Sequence, residues 1–136
     1  MKALIFAAGL GTRLKPLTNT MPKALVPING KPLLEHQILK IKKMGFDHLV
    51  INVHHFADQI IDFLSKNNNF GLKIDISDER NLLLETGGGV KKAASFFTDE
   101  KPFLIHNVDI LSNIDLQSFY TENASKSLIS LLVNQR

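Results

Sequence analysis

Gly9, Gly11, Thr12 and Arg13 stand together in the first loop of the chain, and these are residue types that hold phosphate. Residues 2–8 before them form an apolar run, so the loop leaves a buried strand and its backbone N–H groups can face an anion. The two glycines allow positive φ and close approach. Thr12 adds a hydroxyl, and Arg13 a planar fork that matches phosphate oxygens. Two familiar phosphate loops are excluded. A Walker A loop needs Gly-Lys-Ser/Thr, which is absent. A dinucleotide fingerprint needs a third glycine and an immediate helix, but Leu14 holds that place and Pro16 limits a helix starting there. A plain structural turn also contains two glycines, so this loop does not decide alone.

Two later segments carry chemistry of the same kind. Gly87, Gly88 and Gly89 follow Thr86 at an expected helix start, with Thr86 as the cap. Each glycine costs a helix on the order of 1 kcal/mol relative to alanine, so a purely structural helix would avoid three. Close approach of a ligand to the backbone is the functional reading, and a flexible helix cap is the structural one. Asp109 sits at the exit of an apolar strand. A carboxylate there can hold Mg²⁺, which bridges phosphate oxygens and keeps several waters. His54 and His55 are adjacent, so on a strand they point to opposite sides and cannot chelate one ion. One is read as pocket lining, the other as structural. Lys15 and Lys31 are read as surface charges, and His36 as a helix-face residue.

These groups must be positioned by alternating strands and helices. The patterns predict strands over 2–8, 48–53, 72–77, 103–108 and 128–133. Helices are expected from Pro32 to Met44 with Gly45 as C-cap, around Phe56 to Leu64, from Thr86 to about Phe97, and from Asp115 to Asn123. Residues 9–31 and 78–85 read as loops. Strands separated by helices of this length imply a largely parallel sheet with helices on both faces, an α/β fold. Ligands in such folds bind beyond the C-terminal ends of the strands. The loops there begin near Gly9, near Val53, after Ser77 and near Asn107.

Composition narrows the class. The 136 residues fit one domain and are 44% hydrophobic and 21% charged, which excludes a disordered chain. No apolar run approaches the ~18 residues that span a bilayer, and the short apolar run after Lys2 lacks the length and the small-residue cleavage site expected of a signal peptide. With no cysteine there is no disulfide, thiolate metal site or cysteine nucleophile, and a cytoplasmic protein is expected. The net charge of +3 hides an asymmetry: residues 1–43 carry eight basic groups against Glu35, the remainder eight against twelve acidic. Lys40, Lys42 and Lys43 are read as complementing a helix C-terminus. Arg13, Lys15, Lys23 and Lys31 are left, and a basic N-terminal third points to an anionic ligand.

The continuation of the first loop, Met21-Pro22-Lys23-Ala24-Leu25-Val26-Pro27-Ile28-Asn29-Gly30-Lys31-Pro32-Leu33-Leu34-Glu35-His36, makes it specific. Read with Gly9 to Thr18, residues 3–36 strongly resemble the signature of the sugar-nucleotide nucleotidyltransferases. Leu84-Glu85-Thr86-Gly87-Gly88-Gly89 resembles the family's base-recognition segment. His106-Asn107-Val108-Asp109 resembles the segment ending in its metal-binding aspartate, with Val108 where the family usually has Gly.

The resemblance implies a Rossmann-like, doubly wound three-layer fold of the nucleotide-diphospho-sugar transferase type, with a mixed, mainly parallel sheet. It implies that Ala8 and Gly9 contact base and ribose, that Gly11, Thr12 and Arg13 hold the β- and γ-phosphates, and that Lys23 neutralises the α-phosphate. Arg13 and Lys23 would be the catalytic residues. Asn52 (or His54), Thr86, Gly87, Gly88 and Asn107 would complete the nucleotide site, and Asp109 would bind Mg²⁺. Glu85 matches the family without an assigned role. The implied reaction transfers a nucleoside monophosphate from a nucleoside triphosphate to a sugar 1-phosphate and releases pyrophosphate. The glycine-rich segment looks most like N-acetylmuramate 1-phosphate uridylyltransferases, then mannose-1-phosphate guanylyltransferase-like proteins, so UTP is favoured over GTP.

The family's second metal aspartate and most of its sugar pocket lie on later segments. Residues 1–136 are therefore expected to be the nucleotide-binding part of a single nucleotidyltransferase domain that lacks its C-terminal sugar-binding part. The alternative reading is a nucleotide-binding module without turnover. Nucleic-acid binding is disfavoured, because no basic helix or aromatic stacking motif accompanies the charge.

Overall fold

A strand that is apolar on both sides needs cover on both faces, and β1 (Lys2–Phe6) has it: Ala3, Leu4 and Ile5 are fully buried. The computed structural model describes residues 1–124 and 127–133. After β1 come three 3₁₀ turns (Thr12–Leu14, Leu17–Asn19 and Lys23–Leu25) and an antiparallel ribbon of β2 (Pro27–Ile28) and β3 (Lys31–Pro32). Then follow α1 (Leu33–Lys43), β4 (His48–Val53), α2 (Ala57–Lys66), β5 (Lys73–Asp78), α3 (Glu85–Ala93), β6 (Phe103–Asn107) and α4 (Leu116–Asn123). Gly45 ends α1 with φ 83°, and the Phe46 N–H donates back to the Ile41 carbonyl at 3.3 Å, as helix C-termini closed by a left-handed glycine do. Asp115 caps α4, accepting from the N–H groups of Gln117 and Ser118 at 3.0 Å each.

The sheet runs β5-β4-β1-β6 with every neighbouring pair parallel, and antiparallel pairing is confined to the β2–β3 ribbon. On one face Ile5, Ile51, Val53 and Leu104 pack with side chains of α1, α2 and α4. On the other, Leu4, Val50 and Phe6 pack with Val90 and Ala93 of α3 and the phenylalanines that follow it. This is the expected three-layer, doubly wound α/β fold.

Four expectations differ in detail. β1 stops at Phe6, two residues early, because the Ala7 and Ala8 N–H groups turn to the Asn52 side chain. α3 ends at Ala93, and its tail to Phe96 is a 3₁₀ turn. Thr86 does not cap α3: the chain enters through Leu84, and Glu85 adopts φ 57°. Leu128–Val133 is not a strand. It pairs with no other strand among the described residues, and Leu128, Leu131 and Val133 are 99%, 81% and 81% exposed. A short apolar run favours a strand only where a sheet edge receives it. No helix among the described residues is long and apolar enough to cross a membrane.

Candidate active site

The chain leaves β1 on one side to build β4 and β5, then returns to build β6 on the other. Such a reversal opens a crevice at the C-terminal ends of the two strands it separates. The loop after β1 and the turn after β6 meet there. Lys23 from the first and Asp109 from the second, 86 positions apart, form a hydrogen-bonded ion pair.

Gly11 shapes the first loop. Its φ is 64°, and a Cβ there would lie 2.8 Å from Thr18 Cγ2 and 3.0 Å from Lys23 Cβ. Its carbonyl accepts from the buried Thr18 hydroxyl and from the Leu14 N–H, both at 2.8 Å. Thr12 and Arg13 are thereby presented outward on a 3₁₀ turn. A second turn sets Lys23, with the Leu25 N–H on the Pro22 carbonyl at 2.9 Å. Gly9 borders open space.

Asn52, expected at the nucleotide, is instead 2% exposed, and its side chain faces inward. Its Oδ1 accepts from the N–H groups of Ala7 at 2.6 Å and Ala8 at 3.1 Å, and its Nδ2 donates to Glu79 at 3.0 Å. Phe6, Asn52 and Asn107 share one row of the sheet. Asn107 is the exposed member of that row, and Asn52 lies under α3. The three glycines of α3 divide their tasks. Gly87 is open, whereas a Cβ on Gly88 would lie 2.8 Å from Leu84 Cβ. One on Gly89 would lie 3.0 Å from both Glu79 Oε1 and Phe6 Cε1. The third glycine therefore serves the packing of α3 on Phe6, Asn52 and Glu79.

Of the two histidines after β4, His54 is structural, with Nδ1 on the Glu79 carbonyl at 2.7 Å, and the exposed His55 lies against Phe56 with the two rings tilted by 47°. His36 lies on α1 with Nε2 on the Ile28 carbonyl at 2.8 Å, and Lys31 pairs with Glu35 at the surface. Lys40 and Lys42 do more than complement a helix end. Lys40 donates to the Ser112 carbonyl at 2.8 Å and hydroxyl at 2.7 Å, and Lys42 to the Phe70 carbonyl. With Gln37, which donates to the Ile110 carbonyl at 2.8 Å, Lys40 ties the stretch after Asp109 to α1.

Sequence reasoning missed Glu79, Gln37 and Thr18. The one available signal was Asn52 itself: a polar side chain inside an apolar strand must find partners. Spacing does not say that Glu79 is among them.

Three charges converge at the crevice. Burial is the largest influence on the Asp109 carboxyl and would raise its pKa. The hydrogen bond and charge of Lys23, with the charge of Arg13 beyond, outweigh it and hold the pKa below the ordinary value. A carboxyl depressed on folding adds stability that is complete above its unfolded pKa and is lost as pH falls through the folded one. The melting-temperature gap between wild type and Asp109→Asn is therefore expected to be steady above about pH 5 and to shrink below about pH 4. Thermal melts across that range check it, and a gap that widens in acid contradicts it.

Among the described residues no group of three or more His, Cys, Asp or Glu is placed to hold a metal ion. Asp109 offers one carboxylate of hard oxygen donors, 40% exposed. That donor set fits an ion such as Mg²⁺, which binds through one or two carboxylates and takes its remaining ligands from water and phosphate.

The Nucleotidyl transferase family matches residues 2–135. An N-acetylmuramate alpha-1-phosphate uridylyltransferase of Caulobacter vibrioides is 45% identical over 109 residues, covering 79% of this chain and 45% of the relative. Its namesake in Neisseria meningitidis is 39% identical over 125 residues, covering 92% and 54%. The crystal structure of HddC from Yersinia pseudotuberculosis complexed with GMP-PN superposes with a TM-score of 0.80 at 33% identity, covering 91% of this chain and 54% of that one. The chain spans about half the length of these relatives. A crevice at the reversal of a parallel sheet, a glycine-shaped loop with outward Thr12 and Arg13, and a match over nearly all its length show that this chain belongs to the nucleotidyl transferase family.

Proposed function

We propose that this chain supplies the nucleotide-binding part of an enzyme that transfers a nucleoside monophosphate from a nucleoside triphosphate to a sugar 1-phosphate and releases pyrophosphate. The observation that carries this reading is the meeting of Lys23 and Asp109 across the crevice. A cation and a carboxylate at one strand end suit a triphosphate carried with a divalent ion. Arg13, Thr12 and the Gly11 backbone hold the β- and γ-phosphates. Lys23 leaves Asp109 for the α-phosphate, where negative charge grows during attack. A fixed cation there acts by electrostatic preorganisation. The attacking sugar-phosphate oxygen is already anionic, so no side chain need remove a proton. Asp109, once free of Lys23, would hold a divalent ion such as Mg²⁺, which would supply charge neutralisation of the triphosphate.

The base lies against Ala8, Gly9 and the open backbone at Gly87, with Thr86, Gly88 and Asn107 at the margins and Asn52 behind. UTP is favoured because two relatives are named uridylyltransferases. GTP is the second candidate, because the HddC crystal contains GMP-PN. The cysteine-free composition suits the cytoplasm.

The test is a panel of UTP and GTP against sugar 1-phosphates, reading pyrophosphate, on a chain extended to the relatives' length. Pyrophosphate release with one or more pairs is expected. Nucleotide binding with no release for any pair would favour a binding module.

A further inference from the structure

Glu79 takes no part in the chemistry above, yet it is 1% exposed, the one carboxylate among the described residues that is fully buried. No basic side chain pairs with it among those residues, and the neighbouring Arg80 turns to Asp78 and Asp58. Its partners are neutral donors. Oε1 accepts from Asn52 Nδ2 at 3.0 Å, and Oε2 from the Leu84 N–H at 3.2 Å. Its main chain is fixed too, with the N–H on the Val53 carbonyl at 2.7 Å. Burying a carboxylate without a counter-charge is costly, and a neutral side chain would tie these elements more cheaply.

A carboxylate does one thing that an amide cannot: it only accepts. With Glu79 facing it, Asn52 must turn its NH₂ toward Glu79 and its oxygen toward the Ala7 and Ala8 N–H groups. The same carboxylate receives the first N–H at the mouth of α3. We propose that Glu79 is a positioning residue of the nucleotide site. Through Asn52 it locks the exit of β1, through Leu84 the entry to the glycine-rich helix, and so it presets the two walls between which the nucleoside lies. Gly89 leaves the room for this link. The phosphate end is secured separately by Thr18 on Gly11. Loss of the link should therefore weaken nucleoside recognition and spare the phosphates.

This inference rests on the nucleotide-binding reading, and the experiment separates the two. This chain is titrated with UTP, with GTP, and with inorganic tripolyphosphate, all with Mg²⁺. Wild type is compared with Glu79→Gln, Asn52→Asp and the double variant, and each is checked by thermal melt. Each single change places donor against donor or carboxylate against carboxylate, and is expected to weaken the bound nucleotide about tenfold or more. Tripolyphosphate binding should hold within about twofold. In the double variant the new amide at position 79 donates to the new carboxylate at position 52 and accepts from the Leu84 N–H, so affinity returns to within about threefold of wild type.

Unchanged nucleotide binding by Glu79→Gln, equal losses for nucleotide and tripolyphosphate, or a double variant no better than the singles would each overturn the proposal. If Glu79→Gln fails to fold, the double variant decides: recovery of fold and nucleotide binding supports the proposal, and failure of both assigns Glu79 to the fold alone. A wild type that binds neither UTP nor GTP rejects the functional reading, and this inference with it.

Discussion

Lys23→Ala is expected to slow pyrophosphate release by about 10²–10³-fold, the range found when one donor to a developing anion is removed. The loss should fall mainly on kcat. In the ground state the triphosphate keeps Arg13 and the loop N–H groups, whereas charge accumulates beside Lys23 only as the bond to the α-phosphorus exchanges. The fold should survive. Asp109 is 40% exposed, and a partly exposed ion pair contributes about 1 kcal/mol or less. The measurement is steady-state pyrophosphate release by the extended chain, with kcat and KM determined separately. A variant that raises KM and keeps kcat would make Lys23 a binding residue only.

Gly11→Ala is expected to damage stability and nucleotide binding together. A Cβ at this position is placed in left-handed backbone, with φ 64°, and 2.8 Å from Thr18 Cγ2. Left-handed backbone costs a residue with a side chain about 1–2 kcal/mol, and overpacking adds about 1–3 kcal/mol. The strain cannot stay local. Gly11 anchors the turn that presents Thr12 and Arg13, and its other close neighbour is Lys23. Nucleotide affinity should fall at least about tenfold alongside the stability, since misplacing several phosphate donors loses more than one hydrogen bond. Gly9→Ala is the control. Nothing lies within 4 Å of its added carbon, so stability should hold, and any change in affinity reports the nucleotide alone. Denaturant melts and titrations of both variants check this. A Gly11→Ala protein as stable as Gly9→Ala would contradict the packing described.

What could be read from the residues, and what could not, follows physical lines. The strands at Lys2–Phe6, His48–Val53 and Phe103–Asn107 were legible because an apolar run flanked by turn residues has few other uses. The helix before Gly45 was legible from Leu34, Ile38, Ile41 and Met44 at helical spacing, with the glycine as its stop. Arg13 and Lys23 stood out because a basic third without acidic balance needs an anion. Their meeting with Asp109 was not legible, since it depends on β6 returning beside β1. Leu128–Val133 shows the limit of an apolar run as a strand signal: the run states a preference, and only a partner edge satisfies it. Thr86 shows the limit of capping rules, because the chain turns into α3 one residue before it, at Glu85. Gly89 was grouped with a ligand loop, but its neighbour is a buried carboxylate from another loop. Glu79 itself carried no local sign, because a Glu beside Asp78 and Arg80 reads as a solvated turn until the tertiary contacts are known.

The central claim is that a nucleoside triphosphate lies beside Lys23 in the crevice between the loops after β1 and β6, held by the first loop and by Asp109 through a divalent ion. Equilibrium titration of this chain with UTP, GTP and a short DNA duplex, with and without Mg²⁺, tests it most directly. The expected result is nucleotide binding that Mg²⁺ strengthens, that loses its Mg²⁺ dependence in Asp109→Ala, and that exceeds any binding of DNA. Binding of DNA without nucleotide, or nucleotide binding indifferent to Mg²⁺ and to Asp109→Ala, would contradict it.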